Sequence, residues 1–141
     1  MDVHDKATRS YNMSQIKGKN TKPEILVRKY LFANGFRYRI NVKTLPGTPD
    51  IVLKKYKTAI FVNGCFWHGH KYCKYFVWPK TREEFWKEKI YTNIERDKCN
   101  IRKLKDDGWN VIVVWECELK KSKSEERLKK LCSEIKNGSK E

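Results

Sequence analysis

The feature that most constrains this sequence is a short segment in which metal-binding side chains are crowded together. Cys65, His70 and Cys73 fall within nine residues, and Cys117 follows a later apolar run. Three thiolates and one imidazole form the closed tetrahedral ligand set of structural zinc sites. The alternative is that these are buried free cysteines, which are common in protein interiors. The density of ligands in one polar loop favours zinc, which would stabilise a segment with little apolar core of its own.

Cysteine usage and charge indicate the class of protein. The chain has 141 residues, which suits one domain, and 5 cysteines, an odd number that does not suit a disulfide framework. Lys and Arg number 32 against 17 Asp and Glu, a net charge of +15, and 13% of residues are aromatic. So many large side chains exclude a disordered polybasic tail. Because no signal peptide or membrane span is evident, we expect a cytoplasmic globular protein that binds a polyanion.

The positive charge is concentrated towards the N-terminus. Residues 1–49 contain ten Lys or Arg and three acidic residues, which is a net charge of +7. We interpret residues 1–20 as a flexible basic arm and residues 21–141 as a single domain. The arm either reaches a phosphate backbone or is simply a disordered terminus, and composition does not separate these alternatives.

Capping boxes mark the starts of two predicted helices, because a Thr followed three residues later by Glu satisfies free N–H groups at a helix N-terminus. One box begins at Thr21 and the other at Thr81. The first helix should stop at Gly35 and the second, longer helix at Gly108. A final amphipathic helix is predicted from Ser124 to Ile135. The apolar face assigned to the first helix consists of Ile25, Leu26, Tyr30, Leu31 and Phe32.

Four predicted strands separate these helices. Alternating apolar residues indicate a half-buried strand over 36–40, and short apolar runs at 50–53 and 59–62 indicate a hairpin. The segment from Val111 to Trp115 is continuously apolar, which is typical of a strand covered on both faces. The expected fold is therefore α/β, with a mixed central sheet flanked by helices in αβββαβα order.

Asp50 stands at the start of a predicted buried strand, directly after a Pro-containing turn. Mg²⁺ prefers oxygen ligands and commonly takes only one or two protein carboxylates, so an acidic residue at this position could hold it. The alternative is that Asp50 simply forms an Asx turn at the start of the strand. Taken alone, the position favours the turn.

Two further residues could take part in proton transfer. His68 remains once His70 is assigned to the metal, and it could exchange a proton near neutral pH, bind zinc itself, or lie on the surface. Asp97 interrupts the apolar stripe of the long helix. A buried carboxylate is costly unless paired, which implies a partner such as His68 or a metal-bound water. Otherwise the helix is rotated so that Asp97 reaches solvent or pairs with an Arg.

Aromatic side chains are dense in the basic region between the hairpin and the long helix. Large rings in a loop can stack on bases or insert between base steps, although most aromatic residues belong to the core. Phe66 and Trp67 are adjacent in a Gly-flanked loop, and both cannot easily point inward. These two are the best candidates for nucleic-acid contact.

Short motifs spread along nearly the whole chain indicate a resemblance to a known protein family. They are Arg9-Ser10 with Met13 and Ile16, then residues 49–52, 61–70, 85–86, 93–97, 108–111 and 115–117. In this order they resemble the very-short-patch-repair (Vsr-type) T:G mismatch endonucleases. The Gly-Cys-Phe-Trp-His sequence of residues 64–68 is highly specific.

This resemblance implies a Mg²⁺-dependent endonuclease that nicks duplex DNA 5′ of the thymine in T:G mispairs, which arise when 5-methylcytosine deaminates. It implies a core like that of the type II restriction nucleases (PD-(D/E)xK-like). The partner would be double-stranded DNA bound by a monomer, with mismatch-repair proteins as further partners, and the setting would be the bacterial cytoplasm at the nucleoid. The alternative is a zinc-stapled DNA-binding module without catalysis.

The resemblance also implies roles for acidic and histidine residues. The catalytic residues would be Asp50, His68, Asp97 and Glu24. His68 would be the general acid/base and Asp97 would orient it, while Glu24 would lie near the site. Mg²⁺ would be held by Asp50 and by the main-chain carbonyl of Val62.

The remaining implied sites concern zinc and DNA. Structural Zn²⁺ would be bound by Cys65, His70, Cys73 and Cys117. The duplex would be contacted from the major groove by Phe66, Trp67 and Trp86 and in the minor groove by Asn12 and Met13. Some family members carry a His where this chain has Asn63, so proton transfer here would depend on His68.

Overall fold

The computed structural model describes residues 21–71, 73–120 and 122–138, so the predicted arm with Asn12 and Met13 lies outside the described residues. The strands are β1 (Arg39–Ile40), β2 (Ile51–Leu53), β3 (Thr58–Asn63) and β4 (Asn110–Trp115). The helices are α1 (Lys22–Ala33), α2 (Glu83–Asp106) and α3 (Ser124–Gly138). Short 3₁₀ turns follow β2 (Lys54–Tyr56) and β4 (Glu116–Leu119). The predicted mixed α/β class is confirmed.

The four strands form one mixed sheet in the order β1-β2-β3-β4. The first three strands are antiparallel, with Ile51 opposite Ile60, whereas β3 and β4 are parallel, with Val62 opposite Val114. The start of β2 and the carboxyl ends of β3 and β4 therefore share one edge of the sheet. Asp50, which precedes β2, lies at that edge.

Helix α1 begins and ends where the sequence predicts. The Thr21 hydroxyl accepts a hydrogen bond from the Glu24 N–H at 3.4 Å. After Ala33 the chain turns through Gly35, whose φ of 86° suits a residue without a side chain. The N–H of Phe36 then bonds to the Leu31 carbonyl at 3.0 Å, which closes the helix end.

The buried face of α1 differs from the predicted one. Glu24, Val27 and Leu31 are buried, at spacings of three and four residues, and Val27 and Leu31 belong to the hydrophobic core. The predicted apolar residues Ile25 and Leu26 are exposed, and Phe32 is 57% exposed. The prediction is correct for Leu31 and for Tyr30, which packs against the core, and wrong for the other three residues. It left out Val27 and did not anticipate an acidic residue on the inward face.

The second predicted capping box is also wrong. Helix α2 begins at Glu83, and its N-cap is Arg82, in a left-handed conformation with φ 55° and no capping hydrogen bond from its side chain. The Arg82 guanidinium instead lies 4.4 Å from the centre of the Phe85 ring. The predicted end is confirmed, since Gly108 has φ 88° and the Trp109 N–H bonds to the Leu104 carbonyl at 3.0 Å.

Two strands are less regular than predicted. Strand β1 contains only Arg39 and Ile40, and Ile40 is 43% exposed rather than half-buried. In β4, Ile112 and Val114 are buried while Val111, Val113 and Trp115 are half-buried, so its apolar run is not covered evenly. The strand contacts both α2 and α3, which shields its two sides to different degrees.

The core lies between the sheet, α1 and α3. Its fully buried side chains include Leu31, Ile51, Ile60, Leu131 and Ile135. Within the described ranges, no helix combines the length and the apolar character needed to cross a membrane.

Candidate active site and metal centre

A cleft of about 540 Å³ opens at the edge of the sheet where β2 begins and β3 ends. It is lined by residues of α1, the loop before β2, β3, the loop after β3, and α2. Glu24, Asp50, Val62, His68 and Asp97 all line it. The structure therefore brings together the residues to which the sequence assigned catalysis and Mg²⁺ binding.

Asp50 is tied to the neighbouring strand by its side chain. Its Oδ2 accepts a hydrogen bond from the Val62 main-chain N–H at 2.6 Å. In an extended strand the N–H and C=O of one residue point to the same side. The Val62 carbonyl therefore faces the side of β3 on which Asp50 lies, so this part of the cleft contains two kinds of oxygen ligand.

The electrostatic surroundings of Asp50 disfavour its negative charge. Burial raises the pKa of Asp50 from 3.8 to about 7. The Val62 N–H lowers this pKa, the nearby Glu24 carboxylate raises it, and the charges of His68 and Arg28 lower it by smaller amounts. A divalent cation at these oxygens would supply the missing positive charge. The donor chemistry therefore fits Mg²⁺.

Glu24 combines a structural position with access to the cleft. It is only 4% exposed, and its carboxylate pairs with the Arg28 guanidinium at 3.0 Å, one helical turn further along. A buried carboxylate needs such a partner. Glu24 is therefore more than a helix-capping residue, because it faces inward from the first turn of α1 and lines the same cleft as Asp50.

His68 and Asp97 form the second group of the cleft. His68 Nδ1 lies 2.6 Å from Asp97 Oδ2, and the two side chains are 31% and 30% exposed. Of the two partners that the sequence suggested for Asp97, His68 or a metal-bound water, the structure shows His68. When Nδ1 carries the proton donated to Asp97, Nε2 is left to accept or donate a proton.

The loop that carries His68 is held against α2. Asn93 donates a side-chain hydrogen bond to the Trp67 carbonyl at 3.0 Å. Gly69 has φ 58°, and a Cβ there would lie 2.6 Å from Ile94 Cδ1. No role for Asn93 was predicted from the sequence. Its position four residues before Asp97, on the same helix face, was the available signal.

The four predicted zinc ligands are brought together. One donor atom from each of Cys65, His70, Cys73 and Cys117 lies within 4.8 Å of the others, and Cys117 Sγ is 3.5 Å from His70 Nδ1. Ligand atoms of a tetrahedral zinc site lie about 4 Å apart, given Zn–S bonds of about 2.3 Å. The spacing and the sulfur and imidazole chemistry therefore fit a zinc ion.

The thiols of this centre differ in acidity. Burial raises the pKa of Cys65 to about 12, and burial also raises the pKa of Cys117. At Cys73 burial acts in the same direction, but hydrogen bonds from the Tyr75 N–H and from the other two thiols lower its pKa overall. Metal binding would therefore release protons from Cys65 and Cys117.

Trp115, the last residue of β4, links the two sites. Its ring stacks on His70 with centroids 3.9 Å apart and an interplanar angle of 3°. The same ring meets His68 edge-on at 6.5 Å. Trp115 was predicted at the end of a strand and within a family motif, but without a contact to either site; its position two residues before Cys117 was the available signal.

The three predicted wedge residues form one aromatic cluster at the cleft. Phe66 lies 5.2 Å from Trp67 and 5.4 Å from Trp86, and the two indoles are 5.7 Å apart between ring centroids. All three are half-buried. The cluster joins residues of the 64–68 loop to the first turn of α2.

Comparisons with known proteins agree with these features. Residues 1–74 match the family described as DNA mismatch endonuclease Vsr. Type II nicking enzyme V.NmeAIP of Neisseria meningitidis serogroup A is 53% identical over 137 residues, which cover 96% of this chain and 97% of that protein. DNA mismatch endonuclease Vsr of Escherichia coli K12 is 48% identical over 119 residues, covering 84% and 76%. Type II nicking enzyme V.XorIIP of Xanthomonas oryzae pv. oryzae is 48% identical over 111 residues, covering 79% and 81%.

Proposed function

The chain belongs to the Vsr family of DNA mismatch endonucleases, and from this premise we propose that it nicks duplex DNA 5′ of the thymine in T:G mispairs in a Mg²⁺-dependent reaction. The observation that carries the proposal is that the His68–Asp97 pair, with its 2.6 Å contact, lines the same cleft as the half-buried Asp50. A carboxylate that suits a metal and a histidine that suits proton transfer are thus close to one another.

The Asp50 carboxylate and the Val62 carbonyl would hold Mg²⁺. The metal would supply positive charge for the scissile phosphate and a more acidic bound water. The Glu24 carboxylate adds negative charge beside Asp50 and thereby increases the preference of this end of the cleft for a divalent cation. Arg28 keeps Glu24 in place through their 3.0 Å contact.

His68 would move the proton of the reaction. As the attacking water forms a bond to phosphorus, His68 Nε2 accepts its proton, and the bond to the leaving 3′ oxygen breaks. The leaving oxygen then takes up a proton. Asp97 holds the imidazole through Nδ1 and stabilises the charge that His68 gains. Because this chain has Asn63 in the cleft, no other histidine is assigned to this step.

The aromatic cluster supports selection of a mispair. Phe66, Trp67 and Trp86 would insert beside the mispaired bases from the major groove. Unstacking a base step costs a few kcal/mol in intact duplex and less beside a weak pair, so a T:G site is deformed more easily. The likeness to the family extends this proposal to Asn12 and Met13 in the minor groove.

The proposed organisation follows the family. Residues 21–141 would form a single nuclease domain with a restriction-nuclease-like core, and residues 1–20 would form a basic arm. The chain would act as a monomer on DNA at the bacterial nucleoid, with mismatch-repair proteins as further partners. The mixed sheet, with Asp50 at its edge beside β3, supports this type of core.

The function can be tested with a labelled duplex that carries one T:G mispair. We expect a single nick 5′ of the mispaired thymine with Mg²⁺ and no nick with EDTA, and we expect matched duplexes to remain intact. A panel of flanking sequences would define the preferred site. Tight binding without cleavage under any of these conditions would favour the zinc-stapled, non-catalytic module instead.

The His68–Asp97 pair makes a graded prediction. We expect His68→Ala to lower the nicking rate by roughly 100- to 1,000-fold, because general acid/base catalysis contributes about that much. Asp97→Asn keeps the shape of the side chain but removes its charge, so we expect a smaller loss, of roughly 10- to 100-fold. Single-turnover nicking rates measured across a pH series would separate the two effects.

A matched control for this pair lies on the same helix. Glu95 is 75% exposed and pairs with Lys98 at 3.7 Å, so Glu95→Gln removes an acidic charge of α2 outside the cleft. We expect its nicking rate to equal that of the unaltered chain. A His68→Ala variant with an unchanged rate would contradict the assigned role.

A further inference from the structure

Two lysines on the surface outside the cleft are held beside one exposed ring. Tyr75 is 42% exposed, and the ammonium groups of Lys74 and Lys120 lie 5.2 Å and 5.0 Å from its ring centroid. Both lysines are exposed. Cation–π attraction holds each ammonium near the ring. The result is a pair of positive charges that lies outside the cleft and, through the Tyr75 N–H bonded to Cys73, next to the cysteine and histidine cluster.

The surface that carries these two lysines extends towards the cleft. A small groove of about 210 Å³ separates the start of α1 from the 3₁₀ turn after β4, and it is lined by Lys22 and Lys120 together with Glu116. Pro23 and Glu116 line both this groove and the cleft. We call Lys22, Lys74 and Lys120, with Tyr75, the basic patch. Its three positive charges exceed the single negative charge of Glu116.

We propose that the basic patch binds backbone phosphates of the same DNA duplex on one flank of the nicked position. The inference rests on the proposed function, since it takes duplex DNA as the ligand. Lysine ammonium groups act as point charges that contact phosphate without reading sequence. The Tyr75 hydroxyl adds a hydrogen-bond donor to the same surface. A duplex that enters the cleft can continue past Pro23 and Glu116 onto this patch.

The test replaces two charges and measures binding as a function of salt. We expect Lys74→Gln/Lys120→Gln to lower the salt slope of binding to an uncut T:G duplex by about 1.8, because each phosphate contact contributes about 0.9. At about 0.15 M salt this corresponds to roughly 10- to 30-fold weaker binding. Measurements in EDTA keep the duplex intact.

The control removes the same charge elsewhere. Lys129 and Lys130 are exposed on α3, and the residues that line the cleft come from other elements in the described part of the chain. We expect Lys129→Gln/Lys130→Gln to keep the slope of the unaltered chain. An equal loss in both variants would mean that only total charge matters, and it would overturn the patch.

Shortened duplexes locate the contact. Each flank of the duplex is shortened in turn. When the flank that contacts the basic patch is missing, we expect the unaltered chain and Lys74→Gln/Lys120→Gln to bind the duplex with equal affinity. An unchanged salt slope in that variant would contradict the proposed role of the basic patch and leave the proposed function standing. If instead the unaltered chain fails to nick any T:G duplex with Mg²⁺, the proposed function itself fails, so the two failures are distinguishable.

Discussion

Asp50→Asn is expected to lower Mg²⁺-dependent nicking by at least about 1,000-fold, which corresponds to about 4 kcal/mol of transition-state stabilisation. Asparagine keeps the side-chain oxygen that can accept the Val62 N–H, so the fold at the edge of the sheet should survive. It removes the negative charge that would hold the metal. Duplex binding in EDTA should therefore remain close to that of the unaltered chain.

The same substitution should stabilise the metal-free chain at high pH. The pKa of Asp50 is raised from 3.8 to about 7 in the folded state, so the folded protein retains a proton that the unfolded chain has lost. The contribution of Asp50 to stability is therefore fully present below about pH 4 and is lost as the pH rises through about 7. Asn carries no charge at any pH. We expect Asp50→Asn to increase the free energy of unfolding by about 2–4 kcal/mol at pH 8 and to change it little at pH 4.

Thermal unfolding at several pH values, with EDTA or Mg²⁺, would measure this effect. We expect Mg²⁺ to raise the melting temperature of the unaltered chain but not that of Asp50→Asn. Asp106 is exposed at the end of α2, so Asp106→Asn is the matched control and should leave nicking and the pH dependence unchanged. Mg²⁺-dependent nicking by Asp50→Asn would contradict the assignment of this carboxylate.

The second large effect concerns the thiol and imidazole cluster. Cys65→Ser should abolish zinc binding, because a hydroxyl replaces a buried thiolate ligand in a set whose donor atoms lie within 4.8 Å of one another. Metal binding to such a site is coupled to folding, so we expect a loss of roughly 10 °C or more in melting temperature. Nicking should be lost with it, because the ligand loop also carries His68.

Metal analysis, thermal unfolding and nicking should be measured on the same preparation. We expect one zinc per unaltered chain, and we expect slow loss of that zinc and of activity with a strong chelator. Cys99 lies half-buried on α2, away from the four ligands, so Cys99→Ser should retain zinc and activity. One zinc per chain in Cys65→Ser would show that this residue is not a ligand.

The features that could be predicted from the sequence are those encoded by residue type at short range. The Gly stops of α1 and α2, the hairpin of β2 and β3, and the grouping of Cys65, His70 and Cys73 each depend on neighbouring residues or a short spacing. His68 could be named as one candidate partner of Asp97, 29 positions away, because a carboxylate on an apolar stripe requires a partner, and the family resemblance then favoured it. This prediction depended on the requirement of a carboxylate for a partner, and not on closeness in the sequence.

What could not be predicted depends on how the elements are oriented in three dimensions. The inward face of α1 was misassigned because Ile25, Leu26 and Phe32 are apolar but exposed, while Glu24 is buried beside Arg28. A prediction from periodicity alone assumes that charged side chains point towards solvent. The hydrogen bond from Asn93 to the Trp67 carbonyl joins a helix to a loop 26 residues away, and the spacing of Asn93 from Asp97 indicates only a shared helix face, not this partner.

The stacking of Trp115 on His70 has a consequence for engineering. A metal ligand and the histidine assigned to proton transfer both contact one indole ring, at 3.9 Å and 6.5 Å between ring centroids. The loop of residues 64–73 and the end of β4 therefore pack against each other as one structural unit. Chimeras between relatives should exchange residues 64–73 together with residues 115–117. Either segment exchanged alone would lose the ring contacts between Trp115 and the two histidines.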